Sequence, residues 1–189
     1  MKASTWIFAI VLLLAGGVVG LAQANQPDQA RASSQVIDDW VTKWEKQLVD
    51  VAEAMPADKY SFAPTAGEFK GVRTFAQQLK HAAAANYILA ASALGQPPPV
   101  DAGDEAGPES VRTKAEIVAY LKGSFAALHK AAATIDEKNV LIKSTPISPL
   151  QNTATRLGLV VEALLHSANH YGQVVEYLRM NGVIPPASR

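Results

Sequence analysis

The sequence predicts an all-α protein built as a four-helix bundle, and three observations point there. Four stretches carry apolar residues at three-and-four spacing, no stretch alternates with period two, and the connections between them are rich in Pro and Gly. The chain has 189 residues, 49% of them hydrophobic, which suits one globular domain with a short additional segment.

That segment is the N-terminus. Lys2 supplies a positive start, Trp6 to Val19 is an apolar run, and Ala22-Gln23-Ala24 has the small-x-small form of a cleavage site. Residues 1–24 are therefore expected to be a cleaved secretory signal peptide, with the mature domain spanning 25–189 and no stable membrane anchor after cleavage; the rival reading is a retained apolar anchor, since the run approaches the roughly 17 to 25 residues that span a bilayer. The destination is periplasmic or secreted. A lipid anchor of the acylated-Cys type is excluded because the chain has no Cys.

Helix one is expected from the spacing of Val36, Ile37, Trp40, Trp44, Leu48, Val51 and Met55, ending before Pro56. The stretch from Ala57 to Gly71 holds Pro64, Gly67 and Gly71 and reads as an extended loop, pinned to the core by Tyr60 and Phe62. Helix two starts behind Thr74, whose partner Gln77 three residues on completes a capping-box pattern. It runs to about Leu94, where Gly95 and then Pro97-Pro98-Pro99 stop it. Helix three follows Ser110 or Thr113 as cap, carries Ile117, Tyr120, Leu121, Phe125, Leu128 and Ile135 on its apolar side, and ends near Asp136. Helix four is the longest pattern, Thr153 to Met180, closed by Asn181-Gly182 and Pro185-Pro186. The long connections leave the order of helices around the bundle open.

Charge excludes one class of partner. Lys plus Arg and Asp plus Glu both number 17, and loss of residues 1–24 removes only Lys2, which leaves a formal net charge of about −1. The cations are scattered, so no basic cluster exists to neutralise nucleic-acid phosphates.

Chemistry concentrates in the histidines. His166 and His170 stand four apart on helix four, so their imidazoles lie on one face and can converge on one ion. The same face carries Glu162, Gln173 and Tyr177, a polar stripe between Leu159, Leu164, Leu165, Val174 and Leu178. On helix two, His81 shares its side with Gln78, and the alanines Ala82 to Ala85 leave room for a neighbour, which makes His81 the natural third ligand. Three neutral imidazoles suit Zn, Ni, Fe or Cu. His129, beside Lys130 and without another ligand type at helical spacing, is expected to be an exposed side chain, and Trp40 and Trp44 are expected to pack in the core or in a dimer contact. Other frameworks are missing: there is no H-E-x-x-H, no Glu-x-x-His pair of the di-iron bundles, no Cys for c-type haem, no G-x-S-x-G and no phosphate-binding Gly-rich loop.

At these residues the chain resembles the DinB-like (DinB/YfiT-like) family. Two stretches carry the resemblance: Phe62-Ala63-Pro64 through Thr74-Phe75 to His81, and His166 through His170-Tyr171-Gly172-Gln173, continuing from Tyr177 to Pro186. It implies a four-helix bundle in which His81, His166 and His170 bind a divalent metal, typically Zn or Ni, and which often forms a homodimer. It implies less about the reaction: the family includes thiol-dependent S-transferases and proteins regarded as metal-dependent hydrolases. The expected activity is hydrolysis of a small-molecule substrate by a water on the three-histidine metal, with Glu162 or Tyr177 assisting by proton transfer or hydrogen bonding. The alternatives are a non-catalytic metal-binding or sensing module and a thiol S-transferase, the latter at odds with export because thiol cosubstrates are mainly cytosolic.

Overall fold

Each helix begins where a side chain satisfies backbone N–H groups that have no partner inside the helix. The computed structural model describes residues 31–104, 106–143 and 154–189. The expected signal segment lies outside the described residues, as do Pro146, Pro149 and Thr153 of the last connection. The bundle unit spans Ala32–Arg189 and holds four helices: α1 Ser33–Ala54, α2 Phe75–Leu94, α3 Lys114–Ala133 and α4 Arg156–Met180. No helix among the described residues is long and apolar enough to cross a membrane.

The caps show why the boundaries fall there. Thr74 Oγ1 accepts from the Gln77 backbone N–H at 3.2 Å while Gln77 Oε1 accepts from Thr74 N–H at 2.8 Å. Thr113, not Ser110, caps α3 in the same way, and Glu116 Oε2 accepts from the backbone of both Thr113 and Arg112. Helix α4 starts behind Thr155, whose hydroxyl accepts from Gly158 N–H at 3.0 Å, so it begins later than its apolar pattern suggests. Helix α1 begins earlier, at Ser33, with Gln35 Oε1 accepting from Ala32 N–H. Helix α3 stops at Ala133, short of the expected end, because Asp136 folds the chain into a turn by accepting from the N–H groups of Lys138 and Asn139. Ile135 remains buried beyond the helix end, which explains why it extends the apolar pattern.

At the end of α1, Lys114 reaches over from α3 and donates to the carbonyls of Glu53 and Met55, both at 2.7 Å. An ammonium at a helix C-terminus satisfies unpaired carbonyls and opposes the helix dipole. Tyr60 and Phe62 do pin the loop: Tyr60 is buried, donates to Ala52 O at 2.6 Å and meets Phe75 edge-on, while Phe62 meets Tyr177 edge-on.

The order around the bundle, open from sequence, is α1, α3, α2, α4. Helix α2 packs against α3 and α4, α1 packs against the same two, and α3 barely touches α4. Helices α1 and α2 are thus diagonal, which their long connection permits. Helix α2 is the central element, buried nearly all round, with Phe75, Leu79, Ala82, Ala83, Ala84 and Ala90 fully inaccessible. Trp44 packs edge-on against Tyr171 of α4, but Trp40 is not in the core: it is 48% exposed, with the Lys43 ammonium 4.4 Å from its ring.

The contact between α2 and α3 leaves no room for a side chain at Gly123. A Cβ placed there would lie 2.2 Å from the Tyr87 hydroxyl, held at the end of a rigid ring that leans on Tyr120. Gly123→Ala is expected to cost about 1 to 3 kcal/mol, because overpacking outweighs the gain of about 1 kcal/mol in helix propensity. Urea unfolding measures it; a variant as stable as the parent would show that this contact yields freely. Adding Tyr87→Phe, which removes the hydroxyl, should recover part of the loss.

Candidate metal centre

The packing of α2 against α4 determines what faces His81. His81 lies two turns into α2, and His166 and His170 occupy successive turns of α4, so the two helices bring all three imidazoles to one point. His166 Nε2 lies 3.2 Å from His81 Nε2 and 3.2 Å from His170 Nε2. The ring centroids are 4.4 to 4.9 Å apart and each pair is edge-on. One ligand atom from each residue falls within 4.8 Å of the others, and among the described residues this is the group of His, Cys, Asp and Glu side chains arranged to hold an ion.

The donor set fits a divalent cation. Imidazole nitrogens sit roughly 2.0 to 2.1 Å from Zn, so two of them on a tetrahedral ion stand roughly 3.3 Å apart, close to the separations found. A neutral imidazole has one N–H, so His166 Nε2, which faces two other Nε2 atoms, cannot serve both as a single donor or a single lone pair; a shared cation would take a lone pair from each.

Electrostatics keep the two histidines of α4 neutral. Burial pushes the His166 pKa down to about 4, helped by His81 and Arg73. Burial likewise pushes His170 down to about 3, with His166, His81 and Arg73 adding to it. Neutral imidazole is the ligand form. His81 and His170 are buried and His166 is half-buried, so the cluster reaches solvent on the His166 side.

Around the triad, His170 Nδ1 stands 2.6 Å from Gln78 Oε1. An amide oxygen only accepts, so His170 carries its proton on Nδ1 and offers the Nε2 lone pair to the cluster. The other side of His166 differs: its Nδ1 is buried and has no hydrogen-bond partner.

Of the two residues expected to assist, Tyr177 is buried and donates its hydroxyl to Arg73 O at 3.0 Å, which ties α4 to the loop entering α2. Glu162 is partly buried one turn before His166, stands outside the ligand group, and does not accept from the unpartnered His166 Nδ1. The side chain that does touch the outer nitrogen of one of these histidines is Gln78. Its sequence signal was its place one turn before His81 on the same side of α2. Arg73 carried no sequence signal, because its nearness to the histidines comes from the loop geometry.

His129 departs from expectation. It is not a free surface side chain but a bridge from α3 to α1, with Nδ1 2.5 Å from Asp38 Oδ1 and Nε2 3.1 Å from Glu45 Oε2. Its side chain is 30% exposed. The partners lie far away in sequence, so spacing along α3 could not reveal them. Burial opposes its charge, but the hydrogen bonds and attraction of Asp38 and Glu45 outweigh burial and raise its pKa.

A helical bundle whose packed helices bring three imidazoles to one point is a defined class of protein. The chain belongs to the DinB superfamily, whose family model matches residues 41–174. No curated protein matches it. Among solved structures it is similar to a conserved protein from Enterococcus faecalis, with 16% identity and a TM-score of 0.61 over 79% of this chain and 97% of that one, a likeness of fold.

The two histidine environments predict stability slopes of opposite sign. His129 has a raised folded pKa, so its clasp is fully present below the unfolded value of about 6.5 and is lost as pH rises through the folded value. His129→Ala should therefore cost about 1 kcal/mol near pH 6 and little at pH 9, read as the difference in urea unfolding from the parent. A constant difference would remove the ion pair from the account. For His166 and His170 the folded pKa is depressed, so an unfolded metal-free chain takes up protons that the folded one refuses. Metal-stripped protein should lose stability as pH falls from about 6.5 toward about 3, and a His166→Ala/His170→Ala variant should show a shallower fall over that range.

Proposed function

We propose that the chain is an exported metal-dependent enzyme of hydrolytic type, acting on a small-molecule substrate. The observation that carries this reading is the convergence of imidazole nitrogens from His81, His166 and His170 at a point that reaches solvent beside His166. The donors are all imidazole nitrogen, which favours Zn or Ni over Mg or Ca. When bound, such an ion supplies Lewis acidity and lowers the pKa of coordinated water toward neutrality.

The chain's own residues do the remaining work. Gln78 holds His170 in the tautomer that presents Nε2. Burial keeps His166 and His170 unprotonated at neutral pH. Glu162, on the half-buried side of α4 one turn from His166 and outside the ligand group, is the group available to accept a proton from water or substrate. Tyr177 serves by geometry, since its proton is committed to the Arg73 carbonyl. The guanidinium of Arg73 adds positive charge near the histidines, which favours substrates with an anionic or strongly polarised group. Export follows from the apolar N-terminal segment and its small-x-small site.

Protein from the native compartment should carry about one divalent ion per chain, and His166→Ala and His170→Ala should each abolish stoichiometric binding, read by elemental analysis. Turnover over a panel of esters, amides and thiol adducts should need the metal and vanish in both variants. Glu162→Gln should retain metal and lose roughly 10² to 10⁴ of kcat. Bound metal without turnover across the panel would replace the enzyme by a binding or sensing module, and turnover only with an added thiol would replace the hydrolase by a transferase.

A further inference from the structure

We propose that Gln78 is the positioning residue of the metal centre, and that Gln173 and Asn169 set the direction in which its amide points. The inference rests on the metal-binding reading and goes beyond the three ligands to the group that decides which nitrogen of His170 is a ligand.

Gln78 is 3% exposed, so its amide has no water to turn toward and must be satisfied by protein. Its Oε1 faces His170 Nδ1 at 2.6 Å and its Nε2 donates to Gln173 Oε1 at 2.8 Å. Gln173 Nε2 in turn donates to Asn169 Oδ1 at 2.8 Å. The hydrogen bonds run in one direction: His170 Nδ1–H to Gln78, Gln78 to Gln173, Gln173 to Asn169. Gln173 and Asn169 stand four apart on α4, so their pairing is built into the helix that carries the ligand itself.

Direction matters because a side-chain amide presents either an acceptor or a donor. With Nε2 turned toward His170, Gln78 would force the imidazole proton onto its other nitrogen and block the ligand lone pair. That same turn would bring Gln78 Oε1 against Gln173 Oε1, two acceptors in contact. Gln173 therefore disfavours the ligand-blocking orientation, and Asn169, exposed on α4 like Gln173, supports the Gln173 amide in that setting. Outer hydrogen bonds of this kind determine the tautomer and ring orientation of metal-bound histidines, and their loss typically costs 10- to 100-fold in metal affinity. His166, by contrast, has no partner at its buried Nδ1, so His170 is the anchored member of the α4 pair.

The experiment has two readouts at neutral pH. Imidazole nitrogen shifts by NMR report the His170 tautomer in metal-free protein, and competition titration with Zn or Ni alone reports affinity. Wild-type protein should show His170 protonated on Nδ1. Gln78→Leu, close in size but without an acceptor, should lose that preference and weaken metal binding roughly 10- to 100-fold. Gln78→Glu, whose carboxylate accepts whichever way it turns, should keep the Nδ1–H tautomer and bind at least as tightly as wild type. Gln173→Leu should weaken binding in the wild-type background and have no effect in the Gln78→Glu background, a pattern that loss of packing alone would not produce. A wild-type His170 protonated on Nε2, or a Gln78→Glu protein as weak as Gln78→Leu, overturns the proposal. Wild-type tautomer and Gln78→Glu affinity decide the matter even where Gln78→Leu does not fold. Failure of wild-type protein to bind Zn or Ni, with the Nδ1–H tautomer present, would instead strike the metal reading beneath it.

Discussion

The close packing of α2 against α4 is the constraint on which the rest of the molecule depends. Histidines on different helices become a ligand set only when the helices approach within side-chain reach and in one rotational setting. The alanine run Ala82 to Ala85 follows His81 directly, and three of those four alanines are wholly inaccessible. Small side chains let helix surfaces approach, while the larger Phe75, Leu79, Leu159 and Leu178 fill the core around them. Rotation is governed by polar contacts. Asn86 is fully buried and joins three helices, donating to Ser124 Oγ of α3 at 3.3 Å and accepting from Ser167 Oγ of α4 at 3.2 Å. Ser167 adjoins His166, so this contact bears on the direction in which α4 aims its ligands. A buried amide left without such partners costs about 1 to 3 kcal/mol, which penalises other settings of the helices.

How much of this could be read from the sequence follows from the range of each interaction. The caps Thr74 with Gln77 and Thr113 with Glu116, and the stop at Gly95 with its left-handed φ of +67°, are encoded within a few residues, and α2 and α3 start where those signals stand. Boundaries set by more than the apolar period were misplaced. Helix α1 starts ahead of its first apolar residue, and Asp136 ends α3 before its last one. The pairing of His166 with His170 was legible because helical spacing is local. His81 came from resemblance more than from spacing, since its approach to α4 is a tertiary event.

Interactions that cross between helices were the illegible part. Nothing near His129 in the chain announces Asp38 and Glu45, which lie on a helix separated from it by the whole of α2. Gln78 had a position consistent with a role but no sign of its partner, because Gln173 and His170 are brought to it by the bundle. The order of helices belongs to the same class. Apolar periodicity says that a face is covered without saying by what, and only the observed packing places α1 diagonal to α2.

The four histidines together show how one residue type is divided between two jobs by its surroundings. His129 stands between two carboxylates that favour its charge more than burial opposes it, so it acts as a cationic strut between α1 and α3. Among the described residues no carboxylate joins the ligand group at the α2–α4 contact, and for His166 and His170 burial, the other imidazoles and Arg73 all act against charge. His166 and His170 therefore stay neutral and keep lone pairs to offer. The same arithmetic bears on what such a centre would prefer. Three neutral ligands do not offset the charge of a divalent ion, and the nearby guanidinium adds to it, so an anionic group is the favoured companion at that point. A carboxylate in the triad would have reduced that preference. Its absence is what makes the proposed centre suited to hydroxide or to a substrate with developing negative charge.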